Sequence, residues 1–512
     1  MSALQSEVIS VGGGLVLDKD VFSTYSGAAK ELINFEPDIT GGYKKVLGTS
    51  LYNTNVVPFV VTDEERVMMT ALFNGVVLAA RGGSIHRASS GSGSWTSLIT
   101  GLGTPTQNYE FRAFNFDGTD RIVICSGTST PRVVDTSYTV TNVNATGSAN
   151  FKYVEVFKNH IFFAGKPNNE NELIFMSPFA TNDFSTANGA GTIKIDSPIL
   201  GLKVFREELY IFCNDEIFKL SGNSLADFVL RPVTRKIGCV DGRSIQEFGG
   251  NLIFLAPDGL RTVAGTDRIG DIELGTISKQ VQSITETIGT HNINSVIIRE
   301  KSQYRLFYPL TQDQAEANSL GLICVLKSDV RSGQLGYEYS QLRGLKPSCT
   351  DSQYVGSTET IVSGGYDGYV YLQESGNVFT RATTTSNINA FYKSPDLTLG
   401  DPGVRKIMQR VILNYEHAAN VDTNFKLRYD FESSEVPQPQ AYNVTLSGGT
   451  AIYSLDISTY GTAIYGSAVS KLARQSVEGS GFTVAIRFED FSNNKPISLK
   501  GYELEFIPGG RR

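Results

Sequence analysis

The stretch NLIFLAPDGLRTVAG (251–265) is an apolar run, a turn and a second strand-like run, and variants of it recur along the chain, as in ELYIFCNDEIFKLSG (208–222) and TIVSGGYDGYVYLQESG (360–376). With one strand of each unit taken as a marker, seven units begin at Val76, Ile122, Ile161, Leu209, Leu252, Tyr304 and Ile361, with spacings of 46, 39, 48, 43, 52 and 57 residues. Another strand ending in a turn precedes most markers, as in RVMMTALFNG, YEFRAFNFDGT, KYVEVFKN and SIQEFGG, so each unit holds at least three strands. Strands in threes or fours at this period are the blade arithmetic of a β-propeller, whose radial sheets bury one another's faces. A β-helix has far shorter repeats, and a sandwich has no use for seven units. The two long spacings have visible causes. TISKQVQSITETIG (276–289) aligns Ile277, Val281, Ile284 and Ile288 on one helical face, and TQDQAEANS (311–319) is a polar loop.

The sequence therefore predicts an all-β chain: a β-propeller of six or seven blades over residues 56–385, an N-terminal arm (1–55) and an additional C-terminal β-sandwich-like or platform domain (386–512). Composition agrees, since 51 Gly, 23 Tyr and 29 Phe against 5 Met and 1 Trp favour turns and strands over helices. After residue 385 the blade period stops and alternating strands such as FKLRYDFE, FTVAIRFED and LKGYELEFIP take over. In the arm, Pro37 halts any short helix begun at Ala28, and Gly41-Gly42 permits a turn. With few long apolar runs, the arm GAAKELINFEPDITGGYKKVLG (27–48) reads as a docking element and not part of an independent core, with Phe35, Tyr43 and Leu47 as exposed anchors that bury against the propeller, a neighbouring subunit or another partner surface. Asp258-Gly259 and Asp367-Gly368 read as type I′ hairpin turns.

The residues that carry chemistry are sparse and scattered. Four histidines (His86, His160, His291, His417) have no i, i+4 ligand spacing and no cysteine pair nearby, so the patterns of a zinc site are missing. Cys125, Cys213, Cys239, Cys324 and Cys349 sit mostly in apolar runs and read as reduced core thiols. Neither a phosphate-binding GxxxxGK[ST] loop nor a GxSxG elbow is present. The carboxylate groups DEER (63–66), REE (206–208) and NDE (214–216) flank turns and read as a solvated rim in preference to a glycosidase acid–base pair. SSGSGSWTSL (89–98) is faintly similar to the Asp-box of sialidase-like propellers but lacks its Asp and its spacing. The expectation is a protein that is not an enzyme, with no catalytic, cofactor-binding or metal residues and no cofactor. A net charge of −7 and a sequence pI near 5.4 supply no basic field for tight nucleic-acid binding. No segment approaches the ~18 apolar residues of a membrane span, and no signal-peptide pattern opens the sequence, which predicts a chain made in a cytoplasm and not inserted in a membrane.

SGAAKELINFEPDITGGYKKVLG (26–48) resembles the opening motif of tail proteins from short-tailed bacteriophages, where an N-F-x-P-D-x-x-G-G-Y string precedes the first blade. SPILGLKVFREELYIFCNDEIFKLSGN (197–223) and RKIGCVDGRSIQEFGGNLIFLAPDGLRTV (235–263) are similar to the central part of the tail hub, or nozzle, family of packaged-DNA stabilisation proteins, and KGYELEF (500–506) to its closing strand. The resemblance spreads over most of residues 26–380. It implies a structural virion protein located in the tail, a homo-oligomer of six subunits forming a ring or tube below the portal and the head-to-tail adaptor ring. Such a tube retains packaged DNA and conducts it during ejection, contacts tail fibres or tailspikes, and passes genomic DNA without sequence-specific binding. Two alternatives compete with it, a carbohydrate- or receptor-binding propeller of a phage tail and a glycoside hydrolase. The loop 311–319 is the sequence's candidate for a constriction or a fibre contact.

Overall fold

The computed structural model describes residues 3–20, 23–59, 65–103, 105, 107–144, 150–263, 275–289, 292–309, 319–328, 335–416, 421–446, 471–493 and 496–511. His291, His417, Asp63, Glu64 and the loop 311–319 up to its last position lie outside the described residues.

Each of the seven sequence markers falls in the second strand of a sheet. Six units are four-stranded antiparallel blades: blade one over 67–99, two over 110–142, three over 153–194, four over 199–234, five over 294–343, and six over 347–373 with Thr49–Leu51 as its outer strand. A three-stranded sheet, 246–262, stands between blades four and five. Seven buried apolar clusters mark the contacts between successive sheets, which closes the ring. Blades one and two meet through Met69, Leu78, Ile122 and Ile124. Blades six and one meet through Val67, Val77, Val362 and Val370. Strand one of blade one, VMMTALF, is buried at every position because it has a neighbouring sheet on both faces. The helical face expected at 276–289 is a short 3₁₀ turn followed by Gln282–Thr285, which buries Val281 and Ile284.

Beyond blade six the chain builds a β-sandwich. One layer is a seven-stranded sheet around the long strands Val404–Glu416 and Ser498–Arg511; the other is the distal part of a nine-stranded sheet. That nine-stranded sheet begins as blade five, passes through Glu31–Ile33, and continues as Ala390–Lys393, Val484–Asp490, Val421–Tyr429 and Tyr442–Leu446. The joint is parallel, Ile33 opposite Gln341, whereas the strands on either side of it are antiparallel. Propeller and sandwich therefore share one hydrogen-bonded sheet.

The N-terminal segment is not an arm, and this corrects the sequence reading. Gln5–Ser10 and Tyr43–Lys45 pair with Ser498–Arg511, Phe35–Pro37 pairs with Tyr43–Lys45, and Thr49–Leu51 completes blade six. No helix begins at Ala28; the segment is extended. Pro37 lies within a strand, and the turn at Gly41-Gly42, both at positive φ, returns the chain against Leu499. A Cβ on Gly42 would stand 2.5 Å from the Leu499 carbonyl oxygen. The turns at 257–259 and 366–368 also differ from type I′. Ala256 pairs with Gly259, so the two-residue loop is Pro257-Asp258, and the proline ring excludes the positive φ that type I′ demands. In the second, Gly365 N–H donates to Tyr369 O across a three-residue loop, and Gly368 alone among those three carries positive φ.

Candidate axial site

In a propeller the first strand of each blade lies against the axis. Here those strands are largely apolar runs with a charge at mid-strand: Arg112 in EFRAFN, Glu155 in YVEVF and Lys203 in ILGLKVF. Convergence of the strands brings the charges together around a cavity of about 470 Å³, lined by Asn108, Glu110, Arg112, Lys203, Arg243 and Asp351 among others.

Each guanidinium at the cavity is matched. Arg112 Nε lies 2.8 Å from Glu155 Oε2, and its Nη1 lies 3.7 Å from Glu110 Oε2, so blade two is tied to blade three. Arg243, in a short 3₁₀ turn after blade four, binds Asp241 in a fork of 3.0 and 2.7 Å. Arg299 reaches Glu359 at 3.2 Å. The Lys203 side chain makes no hydrogen bond or ion pair to any described residue; burial lowers its pKa and Arg112 adds to that, while Glu155, Glu110 and Glu247 act against them. Asp351 accepts from the Leu72 N–H at 2.8 Å, the Ser352 N–H at 2.9 Å and the Gln353 amide at 3.2 Å. Even so, burial pushes its carboxyl up to about 6. Burial also raises Glu110. Two polar atoms of the lining are buried without a partner, Asn108 Oδ1 and Arg243 Nη1. The site therefore combines fixed ion pairs with a few free donors and acceptors, an array that can hold a polar guest in one orientation.

The docking residues expected from sequence are elsewhere and are not exposed. Phe35 and Tyr43 are fully buried in the sandwich core, and Leu47 is half-buried. Phe35 packs on Phe488, and the Tyr43 ring on Tyr392. The Tyr43 hydroxyl accepts from the Gly14 N–H and donates to Gly27 O, both at 3.1 Å. A partner surface is unnecessary because the chain supplies its own from residues 390–506. Of the carboxylate groups, Glu207 pairs with Lys158, Glu208 with Lys219, and Asp215 accepts from Ser197, so they stay at separate turns. His86 and His160 are buried, His160 among Phe162, Phe175 and Phe228. All five cysteines are buried and unpaired. Among the described residues no group of three or more His, Cys, Asp or Glu side chains is placed to hold a metal ion, and no helix is long and apolar enough to cross a membrane. Arg112, Glu155 and Lys203 are not among the residues expected from sequence, although a charge inside a largely apolar first strand, repeated in three successive units, is a signal that could have found them.

No family model and no curated protein matches the chain. Solved structures share its general form at low similarity. Raptor from Chaetomium thermophilum has a TM-score of 0.41 at 13% identity, covering 64% of this chain and 29% of its own. An ancestral GH74 enzyme has a TM-score of 0.41 at 10% identity, covering 72% and 53%. A quinonprotein alcohol dehydrogenase-like protein from Bacteroides thetaiotaomicron has a TM-score of 0.37 at 10% identity, covering 62% and 71%. The chain thus spans less than a third of the length of the first and about half of the second. The propeller assignment rests on the sheet order and the seven inter-sheet cores described above.

Proposed function

We propose that this chain is a structural subunit of a phage tail, a hub or nozzle protein without a catalytic role. In this reading copies of it assemble as a ring, most simply of six, beneath the head-to-tail adaptor and in contact with tail fibres or tailspikes. The ring retains packaged DNA and lets it slide out at ejection. The observation that carries the reading is the position of the motif with the phage-tail resemblance. Asn34 accepts from the Arg343 N–H and donates to Asn389 O, both at 2.8 Å, and so bridges propeller and sandwich. Glu36, two residues on, enters a buried charge cluster with Lys301, Arg305 and Glu374. Gly42 and Tyr43 seat the hairpin on the sandwich core. The motif's residues are therefore among those that tie propeller to sandwich, which suits a subunit that bears load between a capsid and a fibre. The net charge of −7 also supports the reading, because each phosphate neutralised by Lys or Arg would add a hold on the moving DNA. Since Phe35 and Tyr43 are buried within the chain, ring contacts are assigned to other surfaces.

Negative-stain imaging of the purified protein, and of particles that contain it, tests the proposal. A sixfold ring with a central channel at the tail is the expected image. A protein that is monomeric inside the particle, or missing from it, would refute the assignment.

A further inference from the structure

We infer that the axial cavity of the propeller is a binding site for a neutral polyhydroxylated ligand, a saccharide of one or two rings, held between Lys203, Arg243 and Asn108. The inference is independent of any role in a tail, because it rests on the cavity alone.

Three observations carry it. The first is size: about 470 Å³ lies within the range of ~300–1,000 Å³ in which small-molecule sites fall. The second is the state of the lining atoms. Asn108 is 4% exposed, its amide donates to Ser348 O at 2.6 Å, and its Oδ1 is left buried without a partner. Arg243 gives Nε and Nη2 to Asp241, and its Nη1 is buried without a partner. The half-buried Lys203 side chain has no hydrogen-bond or ion-pair partner among the described residues, with Glu155, Glu110 and Glu247 near enough to favour its charge. An unmet buried donor or acceptor is costly, so one buried acceptor and one buried donor, with the half-buried Lys203 ammonium beside them, call for a guest that both gives and takes hydrogen bonds. Hydroxyl groups do both.

The third observation is charge. Arg112, Arg243 and Arg299 are already neutralised by Glu155 with Glu110, by Asp241 and by Glu359. What remains is Lys203 against Asp351 and the second carboxylate at Arg112, an excess of acidic groups over basic ones. A phosphate would add to that negative excess in a partly desolvated cluster, and among the described residues no group of three or more His, Cys, Asp or Glu is placed to hold a metal ion, whereas a neutral guest leaves the cluster as it is. Tyr109 and Phe111 also line the cavity and offer aromatic carbon for the C–H face of a sugar ring. Solvent reaches the cavity, since the Arg112 side chain is 27% exposed.

Saturation-transfer NMR and calorimetry on the full chain provide the test, with glucose, galactose, N-acetylglucosamine, lactose and maltose as probes, and inorganic phosphate and glycine as the anionic and zwitterionic arms. At least one saccharide is expected to bind with a Kd of about 1 mM or tighter, and phosphate and glycine are expected not to compete with it. Lys203→Met removes an unpaired half-buried cation, so it is expected to leave the melting temperature unchanged or raised while weakening the saccharide about tenfold. Asn108→Asp, which keeps an acceptor at the orphan position, is the second variant and is expected to retain more affinity than Asn108→Leu. Silence from all five saccharides overturns the inference. Saccharide binding that Lys203→Met leaves intact overturns the placement, and tighter binding of phosphate or glycine overturns the ligand class.

Discussion

Arg305→Met is the substitution that most directly tests how propeller and sandwich are held together. Arg305 is 2% exposed, and its Nη2 lies 3.0 Å from Glu36 Oε2 and 2.6 Å from Glu374 Oε1. Lys301 completes the cluster, 2.5 Å from Glu36 and in direct contact with Glu374. Gln303 donates to Glu36 at 3.0 Å and accepts from the Arg305 guanidinium. The four charges come from the N-terminal motif, blade five and the end of blade six, two of each sign. Replacing Arg305 leaves two buried carboxylates facing one ammonium. At 3 Å and an effective dielectric near 20, each lost pair is worth about 5 kcal/mol before desolvation is returned, and broken buried pairs cost about 3–5 kcal/mol in practice. That is a large share of the ~5–15 kcal/mol that stabilises a typical domain.

The double variant Arg305→Met/Glu36→Gln restores one charge of each sign and is expected to recover about 2 kcal/mol. Acid supplies an independent readout. Burial pushes the Glu374 carboxyl up, but Arg305 and Lys301 outweigh it and hold the group below its ordinary value. A depressed folded value means that the stabilisation is present at neutral pH and is lost as pH falls through that value, so the gap between wild type and Arg305→Met narrows in acid, below the ordinary carboxylate range. Urea unfolding at neutral pH and in acid measures both effects. A loss below about 1 kcal/mol at neutral pH, or a double variant no better than the single, would refute the reasoning.

Phe35→Ala is expected to cost about 3–5 kcal/mol, because a fully buried ring packed on Phe488 is removed, and Tyr43→Phe about 1–3 kcal/mol, because the Gly14 N–H and Gly27 O lose their partner. Denaturant unfolding checks both, and unchanged midpoints would return the motif to a docking role. Asp351, raised from 3.8 to about 6, is destabilising where ionised, so its contribution to stability is expected to rise by about 1.4 kcal/mol as pH falls from about 7 to 5, and to reach about 3 kcal/mol only below the unfolded value, and Asp351→Asn is expected to flatten that slope. A slope that is the same in both proteins would place the titration on another group.

The blades are legible in sequence because their second strands repeat a self-contained signal: an apolar run, a turn residue and a return strand, all within about 15 residues. The motif at 34–43 is illegible for the opposite reason. Its strands are three residues long, too short for any periodicity, and the side chains that bury them stand more than 340 positions away, at Tyr392 and Phe488. Lys45 makes the same point: it looks like a surface charge, yet it is 1% exposed, with Nζ 3.0 Å from Asp490 Oδ2. In the hairpin at 257–259 the Asp-Gly pair suggests a turn one residue too late, and the proline in APDG is the signal that outweighs it. The axial site is hidden because no local spacing relates Arg112 to Glu155, or Asn108 to Lys203; only the closing of the ring brings them together. Asn108 itself gives no sign in sequence that its carbonyl faces a cavity.

The pairing of Gln5–Ser10 with residues 501–506, and of Thr49–Leu51 with Val370–Gln373, sets a timetable for folding. During synthesis blades one to four can close on their neighbours as they emerge, because their strands are consecutive. Blade six cannot be completed without residues 49–51 finding a strand made more than 300 residues later, and residues 5–10 remain unpaired until the strand ending at Arg511 has left the ribosome. Pairings this distant carry loop-closure entropy that nothing local offsets, so the slow step of folding is the clasp and not the blades. Until it shuts, the edge of Val370–Gln373 and the apolar side chains at 32–35 are open to other chains, which makes nascent or truncated molecules the aggregation-prone species. Once shut, the same clasp slows unfolding, because a molecule cut within one blade loop is still held in a ring by its remaining sheets.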